Sequence, residues 1–207
     1  VEATLLIFVF RYRHRPGRRA RYVHGNNRLE VLWTTIPFMI VVAIAVISVG
    51  PWMRLRNPDQ FPPPGLQLEV TAKQFEWNVR YPGPDGQLGT TDDFTSRNTM
   101  QVPVNRAVHV TLQAEDVIHS FFLPAMRVKQ DAVPGMQIPI WFEATQVGEY
   151  VLGCAELCGL GHYRMRGTVQ VVDALAFDRW NESGGQLAAT PAGARDVAAA
   201  PSQHTPH

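Results

Sequence analysis

By hydropathy the chain divides into a short apolar start, one long apolar run, and a region where apolar and polar residues alternate. Val31 to Met53 contains no Asp, Glu, Lys or Arg across 23 residues. As an α-helix that run would extend roughly 34 Å at about 1.5 Å per residue, enough to cross a bilayer. Trp33 and Trp52 stand near its ends, as amphipathic rings do at the lipid–water interface. Pro37 falls in the first turns, a position that a membrane helix tolerates. A buried helix of a soluble protein would be shorter and carry a polar stripe. The pattern predicts a transmembrane helix over residues 29–53.

Residues 1–10 are apolar apart from Glu2 and Thr4, yet too few to span a membrane. They are expected to be the end of a first transmembrane helix, truncated because upstream sequence is missing; no initiating Met or secretory n-region precedes them. Residues 11–28 hold seven arginines and no carboxylate. Between two apolar stretches such a segment reads as a cytoplasmic loop of a helix hairpin rather than a nucleic-acid-binding arm. This orientation sends everything after Met53 to the opposite side of the membrane. The formal net charge of +1 gives no general bias toward nucleic acid.

Residues 54–65 form a proline-rich linker that should not continue the helix. From residue 66 to 173 the signals are strand-like: Leu66 to Tyr81, Thr99 to Val104, Ala107 to Leu112, Gln137 to Ala144, Gly148 to Gly153 and Gly167 to Val172. Pro, Gly and Asp clusters separate them, and Pro82 to Ser96 reads as a turn-rich insertion. An all-β sandwich of about 110 residues is expected. Residues 174–207 form a C-terminal tail, expected to be mostly disordered after 183 from its Ala, Gly, Thr, Pro, Gln and Ser content.

The candidate chemistry lies between Cys154 and Met165. The run Cys-Ala-Glu-Leu-Cys-Gly-Leu-Gly-His-Tyr-Arg-Met places two thiols, an imidazole and a thioether in one loop. Soft sulfur donors with imidazole suit copper or zinc and disfavour calcium or magnesium. His119, at the end of a strand-like run, supplies a second imidazole. A disulfide between Cys154 and Cys158 would leave His162 and Met165 unexplained. Zinc with two Cys and two His has no use for the thioether, and a mononuclear blue-copper site leaves one thiolate spare. Two thiolates bridging two copper ions use every group. Bridging sulfurs let one unpaired electron spread over both metals, which keeps the structural change on oxidation small.

Four motifs together resemble subunit II of the haem-copper cytochrome c oxidases: Leu29-Glu30-Val31-Leu32-Trp33-Thr34, Gln74-Phe75-Glu76-Trp77, Glu115-Asp116-Val117-Ile118-His119-Ser120, and the Cys154–Met165 loop. Lys129-Gln-Asp131-Ala-Val-Pro134-Gly135 adds a fifth, weaker one. The resemblance implies a membrane-anchored cupredoxin-like Greek-key β-sandwich carrying a dinuclear copper A centre. Cys154 and Cys158 would bridge the coppers, His119 and His162 would be terminal ligands, and Met165 and the Glu156 carbonyl would be weak ligands. The Glu156 side chain would reach a magnesium or manganese ion shared with subunit I.

The same resemblance implies a place in the bacterial plasma membrane with the copper domain on the periplasmic side. Electrons would come from cytochrome c and pass to haem in subunit I, where oxygen is reduced to water and protons are pumped. With no Cys-x-x-Cys-His in the sequence, haem is expected in partner subunits only. The family's tryptophan where electrons enter is replaced by Phe75, so Trp77 or Phe75 is the expected substitute; two apart on one strand, they would share a face. Glu115 and Asp116 are expected to dock the donor, and Glu30 to open a proton path. A copper A nitric oxide reductase subunit, or a membrane-tethered copper-binding sandwich without an oxidase partner, are the alternatives.

Overall fold

The computed structural model describes residues 1–19, 22 and 24–186. The chain forms two units, Val1–Val49 and Gly50–His207. The first contains α1 (Glu2–Arg11) and most of α2 (Asn27–Arg56). Among the described residues α2 is the one helix long and apolar enough to cross a membrane, and none of its side chains is buried by protein.

Helix α2 is longer at both ends than the 29–53 expected from hydropathy. At its start the Asn26 side chain accepts hydrogen bonds from the backbone N–H groups of Arg28 and Leu29, a cap that lets the helix begin before the apolar run. At its end the helix takes in Arg54 to Arg56, the first residues of the expected linker. It stops ahead of Asn57, whose helical conformation is disfavoured by the following Pro58.

The second unit is a sandwich of two five-stranded sheets. The first has the order β3 (Phe94–Arg97), β2 (Glu76–Tyr81), β1 (Leu66–Lys73), β5 (Ala107–Ala114) and β8 (Ile138–Glu143). The second has β4 (Thr99–Pro103), β10 (Arg166–Val172), β9 (Gly148–Cys154), β6 (His119–Leu123) and β7 (Val128–Ala132). Pairing is antiparallel except for β1 with β5 and β10 with β4. Leu66, Leu68, Val70 and Ala72 of β1 and Val108, Val110, Leu112 and Ala114 of β5 all point into the core, as alternation requires. The Tyr81 hydroxyl ties the sheets together, donating to the Gln101 carbonyl at 3.1 Å and accepting from the Gln101 N–H at 2.7 Å. Burial pushes the Tyr81 phenol well above its ordinary pKa.

Several expectations change. The Leu66 to Tyr81 run is two strands, because Gln74 and Phe75 form a two-residue turn whose peptide bond is cis. Phe75 therefore lies in the turn and does not share a strand face with Trp77. His119 opens β6 instead of closing a strand, since Glu115–Ile118 bend away from β5. Strands β3 and β7 are additional edge strands.

A helix, α3 (Ala174–Glu182), follows β10 where only a tail was expected. It buries Phe177 and Trp180, the latter edge-on to Tyr81 and Phe94 at ring separations of 4.8 and 5.2 Å. Residues 187–207, which include most of the expected disordered tail, lie outside the described residues.

Candidate metal centre

The expected copper ligands converge at one end of the sandwich. The loop from Cys154 to Met165 connects β9 to β10, which are paired in register up to Gly153 opposite Arg166. Cys154 lies opposite Phe121 of β6, and the Ala155 N–H donates to the Ser120 carbonyl. These sheet contacts bring the loop against His119, the first residue of β6. Within the loop a short 3-10 turn over His162–Arg164 folds Met165 back, its N–H bonded to the His162 carbonyl.

The donor atoms are closely grouped. The sulfurs of Cys154 and Cys158 lie 3.8 Å apart and unbonded. His119 Nδ1 is 3.9 Å from the Cys154 sulfur, and His162 Nδ1 is 3.6 Å from the Cys158 sulfur. The Met165 sulfur is 3.7 Å from Cys158, and the Glu156 carbonyl oxygen is 3.2 Å from Cys154. Ligand atoms of His119, Cys154 and Cys158 all fall within 4.8 Å of one another. His119 is fully buried, and Cys158 and Met165 are buried with it. A cluster of two thiols, two imidazoles and a thioether around a pair of facing sulfurs fits copper A. It does not fit hard ions.

Burial, together with the neighbouring Cys154, pushes the Cys158 thiol up to about 11. The metal-free loop therefore keeps this proton at neutral pH, and metal binding must displace it. Asp116 is held below the usual carboxylate range despite its desolvation, because its oxygens accept from His119 Nε2 and from the N–H groups of Gln74 and Val117. Asp116 is thus bonded to His119 while it remains exposed. Glu115 is exposed, 3.9 Å from Lys73 Nζ.

The two aromatic candidates separate. Trp77 is fully buried, with its ring edge-on to His119 at 6.3 Å and to Phe121 at 5.7 Å, so it cannot touch a partner protein. Phe75 is half-buried beside the metal-binding loop, so near that a Cβ on Gly161 would lie 2.6 Å from its ring. Glu30 stands in the first turn of α2, away from this cluster in sequence and in a separate unit. Residue reasoning did not single out Leu157, Leu160 and Tyr163, which the loop leaves 78, 96 and 81% exposed.

The description "Cytochrome C oxidase subunit II, periplasmic domain" matches residues 72–172, and the corresponding transmembrane domain matches residues 1–50. The chain is 35% identical over 234 residues to cytochrome c oxidase subunit 2 of Cereibacter sphaeroides, covering 93% of this chain and 76% of that protein. The chain belongs to the cytochrome c oxidase subunit II family. It is also 34% identical to the family member of Alkalihalophilus pseudofirmus, of which it spans about half, 52% of the length. The crystallised periplasmic domain of subunit II of the Bradyrhizobium japonicum cytochrome oxidase is 33% identical, with a TM-score of 0.53, covering 59% of this chain and 95% of that one. As a subunit II, the chain is membrane-anchored and carries its cupredoxin-like sandwich on the periplasmic side.

Proposed function

We propose that the chain is the electron-accepting subunit of a bacterial respiratory terminal oxidase. It takes electrons one at a time from a cytochrome c, or an equivalent donor, and delivers them to haem in subunit I, where oxygen is reduced to water and protons are pumped. The observation that carries this reading is the pair of unbonded sulfurs 3.8 Å apart, flanked by two imidazoles and a thioether.

When bound, a copper pair supplies a one-electron relay with its charge shared over two metals. The chain provides the ligands and their fixed arrangement. Cys154 and Cys158 would hold the pair through their thiolates, His119 and His162 through their imidazoles, and Met165 and the Glu156 carbonyl would be the weak ligands. Asp116 holds the His119 ring by its Nε2 edge, which fixes the tautomer that leaves Nδ1 for the metal. Anchoring by β6, β9 and β10 holds these groups in one geometry, so little rearrangement accompanies electron transfer.

Further roles belong to the same proposal. The exposed Glu156 side chain would serve as a ligand to a magnesium or manganese ion shared with subunit I, for which a carboxylate is suitable. Phe75, at the rim of the metal-binding loop, is the aromatic beneath the docked donor, with Glu115 as part of the acidic surface that steers a basic cytochrome c. Glu30 opens a proton path into subunit I. The exposed Leu157, Leu160 and Tyr163 are covered by neighbouring oxidase subunits.

The test is made in the assembled oxidase. His162→Ala and Cys158→Ser should each abolish turnover with cytochrome c while the optical spectrum of the haems in subunit I is retained. Turnover that persists in either variant refutes the assignment, and reduction of nitric oxide without reduction of oxygen by the parent complex refutes the choice of substrate.

A further inference from the structure

We infer that Gln74 is a positioning residue for the metal centre, tying together the two separate segments that carry its ligands. The inference rests on the copper reading above. His119 comes from the start of β6, whereas the other ligands come from the loop between β9 and β10. Gln74, in the β1–β2 turn of the opposite sheet, makes one bond toward each. Its backbone N–H donates to one carboxylate oxygen of Asp116 at 2.7 Å, and the other oxygen of that carboxylate lies 2.8 Å from His119 Nε2. Its side-chain Nε2 donates to the carbonyl of Cys158 at 2.7 Å. Displacing the thiolate segment relative to the imidazole of His119 therefore requires breaking a bond to Gln74.

The shape of the loop agrees with this clamp. A Cβ on Gly159 would lie 2.6 Å from Gln74 Nε2, and one on Gly161 would lie 2.6 Å from the Phe75 ring. Side chains of the β1–β2 turn thus lie directly against the loop backbone at two points, and a Cβ at either glycine would force the side chain above it to shift. Gln74 is not among the ligands in this reading. It acts through the Cys158 carbonyl and the Asp116 carboxylate, as groups outside the coordination shell commonly do when they set ligand orientation.

The two bonds separate by mutation, because the backbone bond survives a side-chain change and the amide bond does not. Gln74→Glu matches the native side chain in size, but its ionised carboxylate cannot donate to a carbonyl; Gln74→Leu removes the polar group altogether. In the 207-residue chain purified in detergent and loaded with copper, both variants should hold the metal about 10- to 100-fold more weakly than the parent against a competing chelator. Both should also show an altered copper hyperfine pattern by electron paramagnetic resonance. A side chain that acted by packing alone would leave the Glu variant like the parent, and that result overturns the inference, as does unchanged retention in both variants. Should the Leu variant not fold, the Glu variant decides alone. A parent chain that takes up no copper overturns the inference together with the reading beneath it; a parent that loads normally beside unaffected variants overturns the inference only.

Discussion

Nε2 of His119 lies 2.8 Å from a carboxylate oxygen of Asp116, three residues earlier in the bend between β5 and β6. The opposite ring nitrogen faces the Cys154 sulfur at 3.9 Å. A carboxylate bonded to a metal-binding imidazole orients the ring and strengthens it as a donor. Asp116→Asn, which keeps the shape and removes the charge, should lower copper affinity by about 10- to 100-fold. A docking role alone would be screened by salt, so the deficit in turnover should persist at high ionic strength; its disappearance there would assign Asp116 to donor steering instead.

Gly161→Ala tests the seating of Phe75 on the loop. The new methyl would stand 2.6 Å from the Phe75 ring, so ring or loop must move, at a cost of about 1–3 kcal/mol for overpacking. The expected results are a lower unfolding midpoint and faster copper loss. Adding Phe75→Ala should recover part of both, because residues in contact do not contribute additively. A double variant as impaired as the sum of the single ones would place the clash elsewhere.

Copper uptake should depend on pH through Cys158. Its thiol is pushed up to about 11 by burial and by the adjacent Cys154, and this proton must leave when the metal binds. Affinity measured against a competing chelator should therefore rise by about tenfold per pH unit for that proton up to about 11. Stability of the metal-free fold should show the opposite trend. Because the folded chain holds the proton above the ordinary thiol value of 9.0, this stabilisation is complete below pH 9 and is lost as pH rises through 11. Affinity that stayed flat between neutral pH and 9 would contradict a bound thiolate.

The attachment of α3 makes a separate prediction at acid pH. Arg106 grips Asp178 with two bonds of 2.7 and 2.8 Å, and these hold the Asp178 carboxyl below its ordinary 3.8. Both side chains are a third or more exposed, so the pair contributes only about 0.2–1 kcal/mol. Its contribution is present above pH 3.8 and is lost as pH falls through the depressed value. Fluorescence of the buried Trp180 should show an acid transition that Asp178→Asn removes, together with a slightly lower unfolding midpoint. An identical transition in the variant would assign it to another carboxylate.

Which parts of this architecture were legible follows from how local their causes are. Leu66, Leu68, Val70 and Ala72 alternate strictly, so β1 is written in its own residues, and the donors of Cys154, Cys158, His162 and Met165 are adjacent along the chain. The β1–β2 turn was hidden because Gln74-Phe75 contains neither Gly, Pro, Asn nor Asp, the residues that ordinarily announce a hairpin. Strand β7 points Lys129 and Asp131 outward and turns only Val128 and Ala132 to the core with the polar Gln130 between them, a weak apolar alternation that suits a sheet edge. Helix α3 buries only Phe177 and Trp180, too little periodicity to stand out beside a low-complexity tail. The role of Asp116 was illegible for a different reason: one of its bonding partners, Gln74, lies 42 positions away, and only the parallel pairing of β1 with β5 brings them together.

The facing sulfurs of Cys154 and Cys158 also bear on how the molecule matures. At 3.8 Å they need to approach by less than 2 Å to reach the bond length of about 2.05 Å that an oxidant would impose. The periplasm favours that bond. Newly exported chains therefore face a race between metallation and thiol oxidation, and a cell short of copper or of reducing power at its surface would accumulate folded but inert copies.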